Sequence, residues 1–159
     1  RPGDTRKFGR VGLDVTGFAF GTAPVGNFVR EIDEKTSDDM FQTAWNNGVR
    51  FFDTAPMYGH GLSELRTGQS LRWKKRDDFV VSSKVGRLLR PARRETIDFS
   101  PWNNAAPFTM DFDYSYDGTM RSFEDSLQRL GLALGQPPLQ AQRQRGATTM
   151  AATATRLPS

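Results

Sequence analysis

The sequence predicts an α/β fold built on parallel strands, and three observations carry that reading. Short apolar or β-branched runs, "GFAFGT" (17–22), "VRFFDT" (49–54) and "DFVVSSK" (78–84), are bounded by Gly, Asp or Pro. They have the continuous apolar character of strands buried on both faces, which favours a parallel sheet. Their ends, Thr22, Thr54 and Lys84, fall about thirty residues apart, the length of one strand–helix unit. The segments between them read as helix. Such alternation belongs to a doubly wound sheet or to a (β/α) barrel, and in both the ligand chemistry gathers at the C-terminal ends of the strands.

Taken in order, "KFGRVGLDV" (7–15) alternates around Gly9 and Gly12 and reads as a small hairpin ahead of the first strand. The first helix is expected to begin at Thr36, whose side-chain oxygen caps the first turn, with Asp39 three residues on. Its apolar face is Met40, Phe41, Ala44 and Trp45, and Gly48 offers a left-handed terminus. The second helix starts at Ser63 and carries Leu65, Gly68 and Leu71. After the strand ending at Lys84, residues 85–114 show no clear element and hold Pro91, Pro101, Pro107, Trp102, Phe108 and Phe112. A loop of this length is either a functional lid or a disordered insert. Its start at the C-terminal end of a strand favours the lid. The third helix follows Ser115, with Tyr116, Met120, Phe123, Leu127 and Leu130 at helical spacing and Gly131 as the stop.

Composition narrows the classes of function. Apolar residues make up 36% of the 159-residue chain, low enough to suggest that some segment does not contribute to the core. Cysteine is absent and His60 is the only histidine, so disulfides, thiolate metal sites and histidine-rich metal sites are excluded. No apolar run approaches the ~18 residues of a membrane helix, and a cytoplasmic location is the default expectation. The net charge of +4 owes much to the arginines between Arg72 and Arg94, which are neither interleaved with aromatics nor set on one helical stripe. No nucleic-acid partner and no membrane partner are expected.

Three residues share the active rim of such a fold: Asp53 ending the second strand, Tyr58 in the turn after it, and Lys84 ending the third. A free tyrosine titrates near pH ~10 and is a weak acid. An ammonium nearby favours the phenolate and makes the phenol a better proton donor, and a carboxylate beside the ammonium holds it in place. An acid, a lysine and a tyrosine can therefore protonate an oxyanion as it forms, which reduction of a carbonyl requires. Plainer readings stand beside this one: Asp53 capping the turn before Pro56, Tyr58 packing on a helix, Lys84 as a solvated strand end. Spacing alone does not choose between them.

"GVRFFDTAPMYGHGLSE", "VVSSKVGRLLRP" and "FDYSYDGTMRSFEDSLQRLGL" together resemble the aldo-keto reductase superfamily, most nearly its branch of sugar and pyridoxal dehydrogenases of the D-threo-aldose, L-fucose and L-galactose type. The likeness runs from about Phe8 to Leu132. It implies a (β/α)8 TIM barrel, here a partial one of an N-terminal hairpin and about three βα units. It also implies a nicotinamide cofactor, NADP or NAD, and a small-molecule carbonyl or sugar substrate. By resemblance Asp53, Tyr58 and Lys84 match three of the family's four catalytic residues. Tyr58 would be the general acid, Lys84 would tune it, and Asp53 would orient Lys84. "GTAPVG" (21–26) resembles the segment lining the nicotinamide end, with Gly21, Thr22 and Asp53 as the cofactor residues. His60 and Trp102 are weaker substrate candidates, each with a structural alternative as a loop residue or an anchor of the long loop.

The resemblance stops at Ala133. The family's catalytic histidine follows the next strand, whereas "ALGQPPLQAQRQRGATTMAATATRLPS" has no histidine, no acid and no strand pattern. Such a composition buries too little apolar surface to offset its ordering entropy, so 134–159 is expected to be disordered, and the abrupt change suggests a shifted reading frame or an aberrant splice. Residues 1–133 then form the N-terminal part of a barrel with its sheet edges open. The expected consequences are little or no activity of this chain alone and a tendency to self-associate or pair through those edges.

Overall fold

A computed structural model of the protein describes residues 1–8, 13–132 and 140–143, the last as a main-chain strand. In chain order the strands are β1 (Thr5–Phe8), β2 (Leu13–Thr16), β3 (Ala19–Gly21), β4 (Phe51–Asp53), β5 (Val80–Val85), β6 (Arg87–Pro91), β7 (Phe108–Phe112) and β8 (Gln140–Arg143). The helices are α1 (Glu34–Asn46), α2 (Leu62–Leu71) and α3 (Tyr116–Leu130). β1 and β2 form the expected antiparallel hairpin, with Phe8 opposite Leu13. The centre is a parallel sheet in the order β3-β4-β5-β8, with α1 between β3 and β4 in the chain and α2 between β4 and β5. This is the strand–helix alternation of a partial (β/α) barrel.

Period two divides the sheet into two faces. Phe20, Phe52, Val81 and Val85 point toward the helices and meet Phe41 of α1, Leu71 of α2, and Phe123 and Leu130 of α3. Phe20 stands edge-on to Phe41 at 5.1 Å, and Phe52 lies 5.9 Å from the same ring. Fully burying a phenylalanine is worth about 1.5–3 kcal/mol, so this layer carries the fold. The opposite face presents Phe51, which packs on Phe8 of the hairpin at 6.1 Å, and, nearer the C-terminal ends, Asp53, Ser82 and Lys84.

Several expectations need correction. The cap of α1 is Asp33, whose carboxylate accepts from the Thr36 amide at 2.6 Å; a carboxylate one turn ahead supersedes the Thr36 hydroxyl. α2 begins at Leu62, and Leu65 is 43% exposed; the buried side of α2 holds Ser63, Glu64, Arg66, Thr67, Gly68 and Leu71 instead. Tyr116 in α3 is also exposed, while Ser115 caps that helix and Gly131 ends it as expected. Residues 85–114 contain a regular element after all: β6 and β7 pair antiparallel from Arg87 opposite Phe112 to Pro91 opposite Phe108. Within the segment expected to lack strands, Gln140–Arg143 pairs parallel to β5. An open sheet edge asks only for main-chain donors and acceptors, so composition did not forbid it. The rest of the expected disordered tail, and the turn of the first hairpin, lie outside the described residues. Among the described residues no helix is long and apolar enough to cross a membrane.

Candidate active site

β4 and β5 run side by side with Asp53 opposite Ser82, so the residues at their C-terminal ends meet on one rim. Lys84 lies two residues beyond Ser82 and therefore on the same face of β5. Its ammonium donates to Asp53 Oδ2 at 2.8 Å and to the Thr54 carbonyl oxygen at 3.0 Å. The Ser82 hydroxyl donates to the other carboxylate oxygen, Oδ1. Asp53 is thus fixed through both oxygens, and Lys84 through two acceptors. The pair is partly buried, with side-chain exposures of 30% for Asp53 and 14% for Lys84, so its attraction is screened less than that of a surface pair.

Tyr58 leans over this pair. The Lys84 ammonium lies 5.2 Å from the centre of the Tyr58 ring. Trp102 also packs against that ring, at 5.7 Å between centres, and in turn on Phe28 at 5.2 Å. Among the described residues the Tyr58 hydroxyl has no hydrogen-bond partner. The turn carrying Tyr58 is held by main-chain bonds from Tyr58 N to Ala55 O and from Ser63 N to Tyr58 O. It also rests on the turn Pro24–Gly26 that follows β3. A Cβ on Gly26 would stand 2.8 Å from the Tyr58 carbonyl carbon, and one on Gly59 would meet the Gly26 carbonyl oxygen, so two glycines let the two main chains touch.

The remaining expected residues separate by environment. Gly21 is exposed, with nothing within 4 Å of where a side chain would start. Thr22 is fully buried; its hydroxyl donates to the Asp53 carbonyl oxygen at 3.0 Å and accepts from Ser63 at 2.7 Å, a buried hydroxyl chain that joins the ends of β3 and β4 to α2. His60 is 2% exposed and donates from Nδ1 to the Phe108 carbonyl oxygen at 2.6 Å. Trp102 is 6% exposed. Both tie the segment 85–114 down beside Tyr58, together with the bonds from Asn103 N to Asn27 O and from Ala106 N to Gly59 O. That segment is packed against the rim.

Sequence reasoning missed Ser82, Glu64 and Arg66. Ser82 had a signal, its spacing of two from Lys84 on a strand. Glu64 is fully buried, accepting from Ser83 at 2.7 Å and from Arg129 at 2.6 Å, and so ties α2 to β5 and α3. Arg66 joins Glu34 to the Val25 carbonyl and the Asn27 side chain. Their partners stand far away in the chain, beyond the reach of any local pattern.

The profile of the aldo/keto reductase family matches residues 18–134, a span that contains every residue of this rim. The chain belongs to that family. Pyridoxal 4-dehydrogenase of Microbacterium luteolum is 44% identical over 137 residues, covering 80% of this chain and 40% of that protein. D-threo-aldose 1-dehydrogenase of a Pseudomonas species is 39% identical over 126 residues, covering 77% and 38%. The holo form of an aldo-keto reductase from Bacillus halodurans superposes with a TM-score of 0.64 at 23% identity, covering 87% of this chain and 39% of that one; the likeness speaks for the fold. This aldo/keto reductase chain spans about two-fifths of the length of these curated relatives.

Proposed function

We propose that the chain carries the reactive portion of an NAD(P)-dependent oxidoreductase acting on aldehyde or aldose carbonyls, or on sugar hydroxyls in the reverse direction. The observation that supports this most is the partly buried Asp53–Lys84 ion pair beside a tyrosine whose hydroxyl has no partner among the described residues. In this reading Tyr58 gives its proton to the carbonyl oxygen as that oxygen becomes an alkoxide, or takes it back in the oxidative direction. The Lys84 ammonium stabilises negative charge on the phenol oxygen left behind. Asp53, itself held by Ser82, keeps Lys84 pointed at Tyr58.

A nicotinamide nucleotide, when bound, supplies or accepts the hydride. The open space at exposed Gly21, next to the ion-paired carboxylate, fits the flat reactive end of such a molecule. Trp102 and the segment around His60 would wall the substrate side and exclude water. With a rim built from three parallel strands and a fourth beside them, turnover by the single chain is expected to be slight.

Titrating the purified chain with NADPH and with NADH while following nicotinamide fluorescence tests the reading. Saturable binding of either, lost on Lys84→Met, supports it. No binding by a folded chain removes it.

A further inference from the structure

Two nearly enclosed guanidiniums, those of Arg66 and Arg129, each meet a carboxylate at 2.6 Å, Glu34 for the first and Glu64 for the second. Arg87 departs from that pattern. It opens β6 opposite Phe112, three residues beyond Lys84, where the β6–β7 hairpin continues from the C-terminal end of β5. Its Nε is buried and has no hydrogen-bond partner among the described residues. Nη1 donates to the Met110 sulfur at 3.9 Å, a weak acceptor, and the guanidinium carbon stands 4.6 Å from the centre of the Phe112 ring. No carboxylate lies within ion-pair distance of Arg87 among the described residues, which hold every Asp and Glu of the sequence.

A cation set against a ring and a thioether, with one donor unmatched, carries a desolvation cost that neither wall returns in full. Burial accordingly holds the Arg87 guanidinium below the ordinary arginine range, with Tyr114 opposing that shift. The place is also firmly built. The Arg87 carbonyl oxygen accepts from the Ser122 hydroxyl at 2.9 Å, which fastens β6 to α3. The Tyr114 ring fills the space that a side chain on Gly86 would need, and it lies 6.1 Å from Phe112. Arg87 is half-buried and Phe112 exposed, so part of the cation is reachable from solvent.

From this we infer that Arg87 is a binding site for an oxyanion, taking the carboxylate or phosphate group of a small acidic molecule. The planar fork of a guanidinium matches two oxygens of such a group, and the ring and thioether beside it shield the pair from water. The anion meets Arg87 from the side that solvent reaches. A turn of the side chain then brings Nε–H to one of its oxygens, at the loss of a thioether contact. The inference concerns binding and stands whether or not the chain transfers hydride.

The test uses the 159-residue chain itself, labelled with heavy nitrogen for nitrogen–proton correlation spectra. The side-chain Nε–H signal that vanishes in Arg87→Lys identifies Arg87. It should move saturably with inorganic phosphate and with acetate, at millimolar concentrations, and stand still in sodium chloride of the same ionic strength. Arg87→Gln should weaken both anions by about tenfold or more, read from the main-chain signals of Gly86 and Phe112. If that variant fails to fold, Arg87→Lys keeps the charge without the fork and should weaken them several-fold. Competition separates the sources of the group. Displacement of phosphate by NADPH assigns the site to the nucleotide's phosphates, and phosphate undisturbed by NADPH assigns it to a separate acidic molecule. No movement with either anion, movement that chloride reproduces, or a response that both substitutions leave intact overturns the inference.

Discussion

Asp53 divides its two carboxylate oxygens between Ser82 and Lys84, and that division is what leaves the ammonium facing the Tyr58 ring. If the phenol is the proton donor, Tyr58→Phe should lower whatever carbonyl turnover the chain shows by about 10²–10⁴ while NADPH affinity stays unchanged, measured by steady-state kinetics beside fluorescence titration. Equal losses of turnover and affinity would mean the ring only shapes the pocket. Gly26 gives a second residue-scale expectation. A methyl there meets the Tyr58 main chain at 2.8 Å, and neither backbone can step aside cheaply. Gly26→Ala should cost about 1–3 kcal/mol in urea unfolding.

Among elements, the strands whose faces are both covered were legible in the sequence, because burial on two sides leaves an unbroken apolar run. The acid and the lysine at their ends were legible for the same reason: a charge closing such a run stands out. The polar interior of α2 was not. Glu64 finds Arg129 across 65 positions of chain, and nothing local distinguishes it from a solvated glutamate. Removing it strands a guanidinium that is only 13% exposed, so Glu64→Ala should cost about 3–5 kcal/mol. The hairpin β6–β7 escaped notice because its pairing joins strands separated by a long proline-containing connection, and β8 because edge pairing needs no particular side chains. Two helix-associated turns add a pH dependence. Hydrogen bonds from Thr36 hold the Asp33 carboxyl below the usual carboxylate range, and those from Ser115 do the same for Asp113. Lowered values in the folded chain mean that this stability is fully present above the ordinary carboxylate range and drains away as pH falls through the lowered values. Asp33→Asn and Asp113→Asn should each flatten the acid limb of stability, read as urea midpoints at several pH values between neutrality and strong acid.

Across the described residues the helices form one layer on one face of the sheet, while the other face carries Phe8 of the hairpin on Phe51 and the Asp53–Lys84 pair. Stability therefore rests on few helix contacts, and the closest of them is at Gly68, where a side chain would run into the Leu130 carbonyl. Gly68→Ala should part α2 from α3 and lower the thermal midpoint more than Leu65→Ala, a change at an exposed position on the same helix. Calorimetry of the two variants decides it. The touching main chains at Gly26 and Gly59 reach further than packing. With no side chain between them to act as a cushion, the loop after β3 and the turn that bears the phenol behave mechanically as one body. Anything that pushes the first must carry Tyr58 with it. Induced fit around a ligand is then left to the 85–114 segment, whose anchors at His60 and Trp102 are the points where such a motion would pivot.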